Sequence, residues 1–168
     1  ESPVYRWICD TDVPTYTITA SAGTGGSITE TENVTHGDSK DFTATASSGY
    51  VIETLTVDGS AVPAAAGKSS HTYTFPSVTA AHTIAATFIQ QVYTITASAG
   101  EHGAITGTAT VTHGDSKDFT ATANSGYVID TLTVDGSAVP AAAHESSYTH
   151  TFSSVEASHS INVTFMAD

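Results

Sequence analysis

Basic side chains are scarce in this chain. It carries 4 Lys and Arg against 17 Asp and Glu, a formal charge of −13 over 168 residues. Such a surface repels nucleic acid and anionic lipid, so neither is expected as a partner. Cysteine is nearly absent. Cys9 stands alone, so no disulfide can close within the chain, and there is no CxxC or CxxCH pattern. No apolar run approaches the roughly 20 residues of a membrane-spanning helix, which argues against membrane insertion. No signal-peptide pattern is visible from Glu1 onward. Helical periodicity is missing too. No stretch of ten or more residues places apolar side chains at a 3.6-residue period, and Ala64-Ala65-Ala66 is too short and follows Pro63.

What the chain does contain is Thr, Ser, Ala, Gly and Val, a composition that points to a secreted or cell-surface setting. It also contains itself twice. Thr35–Ala46 returns unchanged as Thr112–Ala123, an offset of 77 residues. The same offset relates Tyr16 to Tyr93, Asp58 to Asp135, His82 to His159 and Phe88 to Phe165. Of the 73 pairs aligned between 16–88 and 93–165, 18 differ and none needs a gap. The chain therefore divides into a head and linker (1–15), a first β repeat (16–89) and a second (90–168). Units of this size bury a limited fraction of their surface.

Each repeat reads as six or seven short strands. Tyr16 to Ala22 alternates, with Tyr16, Ile18, Ala20 and Ala22 on one face. Ser27 to Thr35 reads as a second strand. His36-Gly37-Asp38-Ser39 is a turn. Asp41 to Ala46 turns Phe42, Ala44 and Ala46 inward. Tyr50 to Val57 is the most apolar stretch. Val51, Leu55 and Val57 would share a face with Glu53, so a bulge near Ile52-Glu53 is expected to turn the carboxylate out. Asp58-Gly59 is a tight-turn signal, and Ser60 to Pro63 suits a short edge strand. His71 to Phe75 and His82 to Phe88 alternate, the latter with Ile84, Ala86 and Phe88 inward. The expected fold is all-β: two tandem small β-sandwich-like or β-grasp-like modules with little or no helix. Only Ile89 to Val92 separates the repeats, a span of at most about 13 Å. The two modules are expected end to end, as a short, stiff, acidic rod.

These residues also carry a resemblance. Tyr-x-Ile-x-Ala-x-Ala-Gly, Gly-Asp-Ser-x-x-Phe-Thr-Ala, Ser-Gly-Tyr-Val-Ile, Leu-Thr-Val-Asp-Gly and Ala-x-His-x-Ile-x-x-Thr-Phe follow one another in that order in the first repeat. The pattern resembles the divergent InlB B-repeat-like family, which consists of bacterial and archaeal extracellular repeats. The resemblance implies small tandem β modules in secreted or cell-surface prokaryotic proteins, in a stalk, spacer or adhesion role. It implies no catalytic motif and no cofactor. The better-known relatives have a β-grasp-like fold with a helix, whereas the residues here indicate none.

Four patterns in the chain bear on chemistry. His36, Asp38 and Ser39 contain the ingredients of a hydrolase triad, but a Ser–His–Asp relay needs partners from separate elements. Eight histidines stand at 36, 71, 82, 102, 113, 144, 150 and 159. His71 and Tyr73 become Tyr148 and His150 in the second repeat, a swap that suits a packing pair better than a metal ligand. Neither Asp-Gly turn has the spaced oxygen ligands of a calcium loop. Lys40 and Lys117 are paired between repeats but no Asn is, which argues against a repeated isopeptide crosslink.

The head holds the only Trp. Val4, Tyr5, Trp7, Ile8 and Cys9 suit a strand. One reading packs this strand on the first module or on a preceding one. The other adds it to a sheet edge of another copy, building a filament subunit by subunit, with Cys9 available to lock neighbours in an oxidising compartment. The sequence therefore points to a non-enzymatic structural protein, a stalk or spacer. A self-assembling filament subunit and a binding module for glycan or protein are the alternatives. Expected partners are other copies of the chain or neighbouring modules of a longer surface protein.

Overall fold

The computed structural model describes residues 12–168. The chain falls into two compact units that divide between Ile89 and Gln90. Each unit is all-β, as the alternation indicates.

The first unit has eight strands: β1 (Thr15–Ala22), β2 (Gly26–Ile28), β3 (Glu32–Thr35), β4 (Lys40–Ala46), β5 (Tyr50–Val57), β6 (Ser60–Ala61), β7 (Ser70–Phe75) and β8 (His82–Gln90). They form two sheets. One is five-stranded in the order β3-β1-β8-β5-β6, and the other is three-stranded in the order β2-β4-β7. Strands β1 and β8, the first and last of the unit, lie side by side and parallel, with Ile18 opposite His82 and Ala22 opposite Ala86.

The second unit repeats this with β9 (Val92–Ala99), β10 (Gly103–Ile105), β11 (Ala109–Thr112), β12 (Lys117–Ala123), β13 (Tyr127–Val134), β14 (Ser137–Ala138), β15 (Ser147–Phe152) and β16 (His159–Ala167). Its sheets are β11-β9-β16-β13-β14 and β10-β12-β15.

Each unit closes around its own core. Ile18, Phe42, Ala44, Ile52, Leu55, Ile84 and Ala86 are buried in the first, and Ile95, Phe119, Ala121, Ile129, Leu132, Ile161 and Val163 in the second. The facing phenylalanines meet edge to face, Phe42 on Phe75 at 5.8 Å and Phe119 on Phe152 at 5.7 Å between centroids.

Three details depart from the sequence reading. Ser27 to Thr35 is two strands, because the chain crosses from the three-stranded sheet (β2) to the five-stranded one (β3). That split raises the strand number from the expected six or seven to eight, while the short edge strand expected at Ser60 is present as β6. Pro63–Ala65 and Pro140–Ala142 form single 3-10 turns, which bury Ala65 and Ala142. Proline opens each turn, where its missing N–H leaves no donor unpaired.

The expected bulge is present. In the second unit the β13–β16 register shifts between Ile129 and Thr131, at Asp130, the counterpart of Glu53. Two successive residues then face out, Glu53 and Thr54 in the first unit and Asp130 and Thr131 in the second. The inward row is therefore Ile52 with Leu55. Val51, assigned inward from the alternation, is only half-buried.

Candidate functional site

The self-association candidates Val4, Tyr5, Trp7, Ile8 and Cys9 lie outside the described residues. The other candidates lie within them.

The His36-Gly37-Asp38-Ser39 stretch and its copy are tight turns held by main-chain bonds. Asp38 N–H donates to Thr35 C=O, and Val78 exchanges hydrogen bonds with Gly37 N–H and Asp38 C=O. Gly37 and Gly114 have φ of 88° and 83°, a region that other residues enter at a cost. His36 rests against the ring of Tyr16 at 5.8 Å, and no Ser–His–Asp hydrogen-bond relay joins the turn among the described residues. Val78 and Val155, which lie in the connections β7–β8 and β15–β16, are fully buried partners of these loops.

Six of the eight histidines lie against an aromatic ring. His150 meets Phe152 edge to face at 4.7 Å, where Tyr73 meets Phe75 at 5.0 Å. At that position the swap exchanges one ring packed on the phenylalanine for another. His102 and His144 occupy left-handed turn positions (φ 71° and 66°) held by Gly25 and Gly67 in the first unit. His102 stacks flat on Tyr127 at 4.1 Å. A Cβ at Gly25 would collide with the ring of Tyr50, the counterpart of Tyr127, where that ring stands in the first unit. Among the described residues no group of three or more His, Cys, Asp and Glu side chains is placed to hold a metal ion.

Two histidines make contacts that the alternation does not show. His82 Nδ1 lies 2.7 Å from Asp58 Oδ2, and Asp58 Oδ1 accepts the Thr83 N–H at 2.8 Å. His159, Asp135 and Ser160 repeat this at the same distances. Each Asp sits at the left-handed corner of its Asp-Gly turn (φ 48° and 49°). Each His ring also lies on a core-edge phenylalanine, Phe75 or Phe152, at 5.0 Å. The carboxylate thus ties the β5–β6 hairpin to the start of β8, across the sheet.

The Thr83 amide and the His82 ring hold the Asp58 carboxyl below its ordinary value. The His159 ring and the Ser160 amide do the same for Asp135. Both shifts are depressions, so these groups stabilise the fold fully above the unfolded carboxyl value near 4. That contribution is lost as pH falls through the lower folded value. Acid titration of Asp58→Asn/Asp135→Asn is therefore expected to show a shallower loss of stability below about pH 4 than the parent chain. Equal slopes, measured by thermal melts from about pH 2 to 6, would remove the clamp from the account of acid stability.

The sheet edges are the remaining chemistry. Strands β7 and β15, six residues each, are the longest edge strands of their units. Their outward main-chain groups follow from their neighbours. Thr43 N–H donates to Thr29 Oγ1, and Thr43 C=O accepts from Thr29 N–H, on the β2 side of β4. Opposite residues of an antiparallel pair exchange both hydrogen bonds or neither. Thr72, opposite Thr43, therefore turns its N–H and C=O away from β4. By the two-residue period, so do Ser70 and Thr74. Thr106, Thr120 and Thr149 repeat the arrangement in the second unit.

The edge is also uncharged. Ser70-His71-Thr72-Tyr73-Thr74-Phe75 contains no Lys, Asp, Glu or Pro, the residues that usually blunt an edge. Thr72 and Thr74 are exposed, and His71 and Tyr73 are half-buried beside the core. Sequence patterning does not single this edge out, because edge position is set by sheet order.

Among the described residues no helix is long and apolar enough to cross a membrane. No curated protein matches the chain significantly. The family model of the divergent InlB B-repeat domain matches it twice, over residues 16–91 and 93–168. The two matches begin on Tyr16 and Tyr93, the residues that open the two copies of the sequence repeat, and together they span nearly all of the chain outside the head. Tandem modules of this kind fit an extracellular structural role, and the family is in general a non-catalytic module. The chain belongs to the divergent InlB B-repeat family, as two consecutive copies of its domain.

Proposed function

We propose that the chain is a non-catalytic, tension-resisting stalk or spacer segment of a secreted or cell-surface prokaryotic protein. The observation that supports this most directly is the parallel pairing of the terminal strands in each unit. The chain enters the first unit at the start of β1 and leaves it at the end of β8. Because β1 and β8 are parallel neighbours, those two points lie at opposite ends of the pair. Tension between them pulls the strands lengthwise past each other. The hydrogen bonds from Ile18–His82 to Ala22–Ala86 then resist together, whereas a pair with both ends on the same side would open one bond at a time. Strands β9 and β16 repeat the device, from Ile95–His159 to Ala99–Val163.

Single-molecule extension of residues 12–168 held by its two ends tests this reading. Two separate unfolding events are expected, each releasing roughly 250 Å of chain, the extended length of one unit at about 3.4 Å per residue. Extension without resolvable force peaks would remove the tension-resisting role.

A second reading makes the chain a filament subunit whose head strand, Val4 to Cys9, pairs with another copy. The long, uncharged edges of β7 and β15 favour it. No particular observation among the described residues favours the glycan- or protein-binding reading.

A further inference from the structure

We propose that the outer edge of β7, with its copy on β15, is the acceptor for residues Val4–Cys9 of a second copy of the chain. This rests on the filament reading and specifies its docking surface.

Four features of the chain meet at this edge. The first is main-chain hydrogen bonding. Thr72 and Thr74, and Thr149 and Thr151 in the copy, present N–H and C=O groups outward at every second residue, which an added strand would pair. The second is length. The edge has six residues, and the apolar head segment from Val4 to Cys9 also has six. The third is the alternation of side chains. On the inner face the edge offers half-buried His71 and Tyr73, or Tyr148 and His150, beside Phe75 or Phe152. In an extended head, Tyr5, Trp7 and Cys9 fall together on one face and would extend that aromatic row.

The fourth feature is charge. On the opposite face of the head Arg6 stands between Val4 and Ile8, and Arg6 is one of only 4 basic residues. The outer face of the acceptor carries Asp41 beside Thr74, and Asp118 beside Thr151, each carboxylate accepting the threonine hydroxyl at 2.6 Å. An added strand with Tyr5, Trp7 and Cys9 inward turns its single cation toward the face that holds this carboxylate.

The contact uses different surfaces on donor and acceptor, so its repetition builds an open chain of subunits. The other edges are poorer hosts. Strands β2, β3 and β6 have three, four and two residues, and β3 carries Glu32.

The test uses the full 168-residue chain, followed by light scattering and electron microscopy over a range of concentrations. Thr72→Pro/Thr149→Pro deletes one outward amide from each edge while leaving the β4 and β12 ladders intact, since those N–H groups point away from them. Thr72→Lys/Thr149→Lys keeps the amides and adds edge charge, and it decides the matter if the proline pair does not fold. At least a tenfold rise in the concentration needed for assembly is expected, with circular dichroism unchanged. A peptide of residues 1–11 is expected to suppress assembly and to shift the amide resonances of β7 or β15. A parent chain that stays monomeric throughout would overturn both the filament reading and this inference. Assembly that the folded edge variants leave unchanged would overturn the inference alone.

Discussion

Replacing Phe42 with alanine is expected to make the first module melt well below the second, which keeps its own stability. Phe42 is fully buried and packs edge to face on Phe75. Truncating a buried phenylalanine costs about 3–5 kcal/mol. A domain of this size has roughly 4–11 kcal/mol to lose, at about 0.05–0.15 kcal/mol per residue. The melting temperature of the first module should therefore fall by roughly 15 °C or more, at about 4–8 °C per kcal/mol. The second core shares none of these residues, being built from Ile95, Phe119, Ile129, Leu132 and Ile161. Calorimetry is expected to split into two transitions. Amide spectra between them should show the resonances of residues 12–89 collapsed and those of 92–168 dispersed. Phe119→Ala should give the mirror result. A single transition moved as a whole would show that the two cores melt as one.

The second large effect is expected at a glycine. Gly26 opens β2 opposite Ala46, and its φ is ordinary for a strand, so its backbone would accept any residue. What excludes a side chain is the Phe88 ring. A Cβ at position 26 would stand 2.5 Å from two of its ring carbons, and Gly103 faces Phe165 in the same way. The ring of Phe88 belongs to the core cluster, so it would have to shift against its neighbours to make room. Overpacking of this kind typically costs about 1–3 kcal/mol. Gly26→Ala is expected to lower the first transition measurably, and Gly26→Val to lower it further. Pairing Gly26→Ala with Phe88→Leu should recover part of the loss. If Gly26→Ala melts like the parent chain, the ring moves freely and β2 is not held against it.

The contrast between Gly25 and His102 shows how such constraints vary between otherwise matching modules. At this corner the first module keeps its tyrosine ring where a side chain would strike it, while the second stacks an imidazole on the equivalent ring. The sequence shows only a histidine with no counterpart in the first repeat there. The left-handed backbone and the flat stack show a turn residue that found a packing partner.

Much of the module is legible in the amino-acid sequence. The 77-residue period needs nothing else. Neither does the β class, because Phe42-x-Ala44-x-Ala46 and Ile84-x-Ala86-x-Phe88 alternate at the strand period and nothing alternates at the helical one. The outward turn of Glu53, and the bulge at its counterpart Asp130, are legible because a carboxylate in an apolar row has to be turned out. These are local properties: each depends on the side chains of a few neighbouring residues and on whether they prefer water.

Sheet order is not local, and the tertiary structure decided it. It sent Ser27 to Thr35 into two different sheets, and it brought Val78, from a turn, into the core. It placed His82 on Asp58, 24 residues away in the chain, although both residues recur in the second repeat. It set the first and last strands of each module side by side and parallel, the arrangement from which a tension-resisting role is proposed. Among the described residues it also left β7 and β15 with one unpaired side, as no pattern within Ser70 to Phe75 could show. Strand pairing joins main-chain groups that are the same in every residue, so the side chains of one strand carry little information about which strand lies next to it.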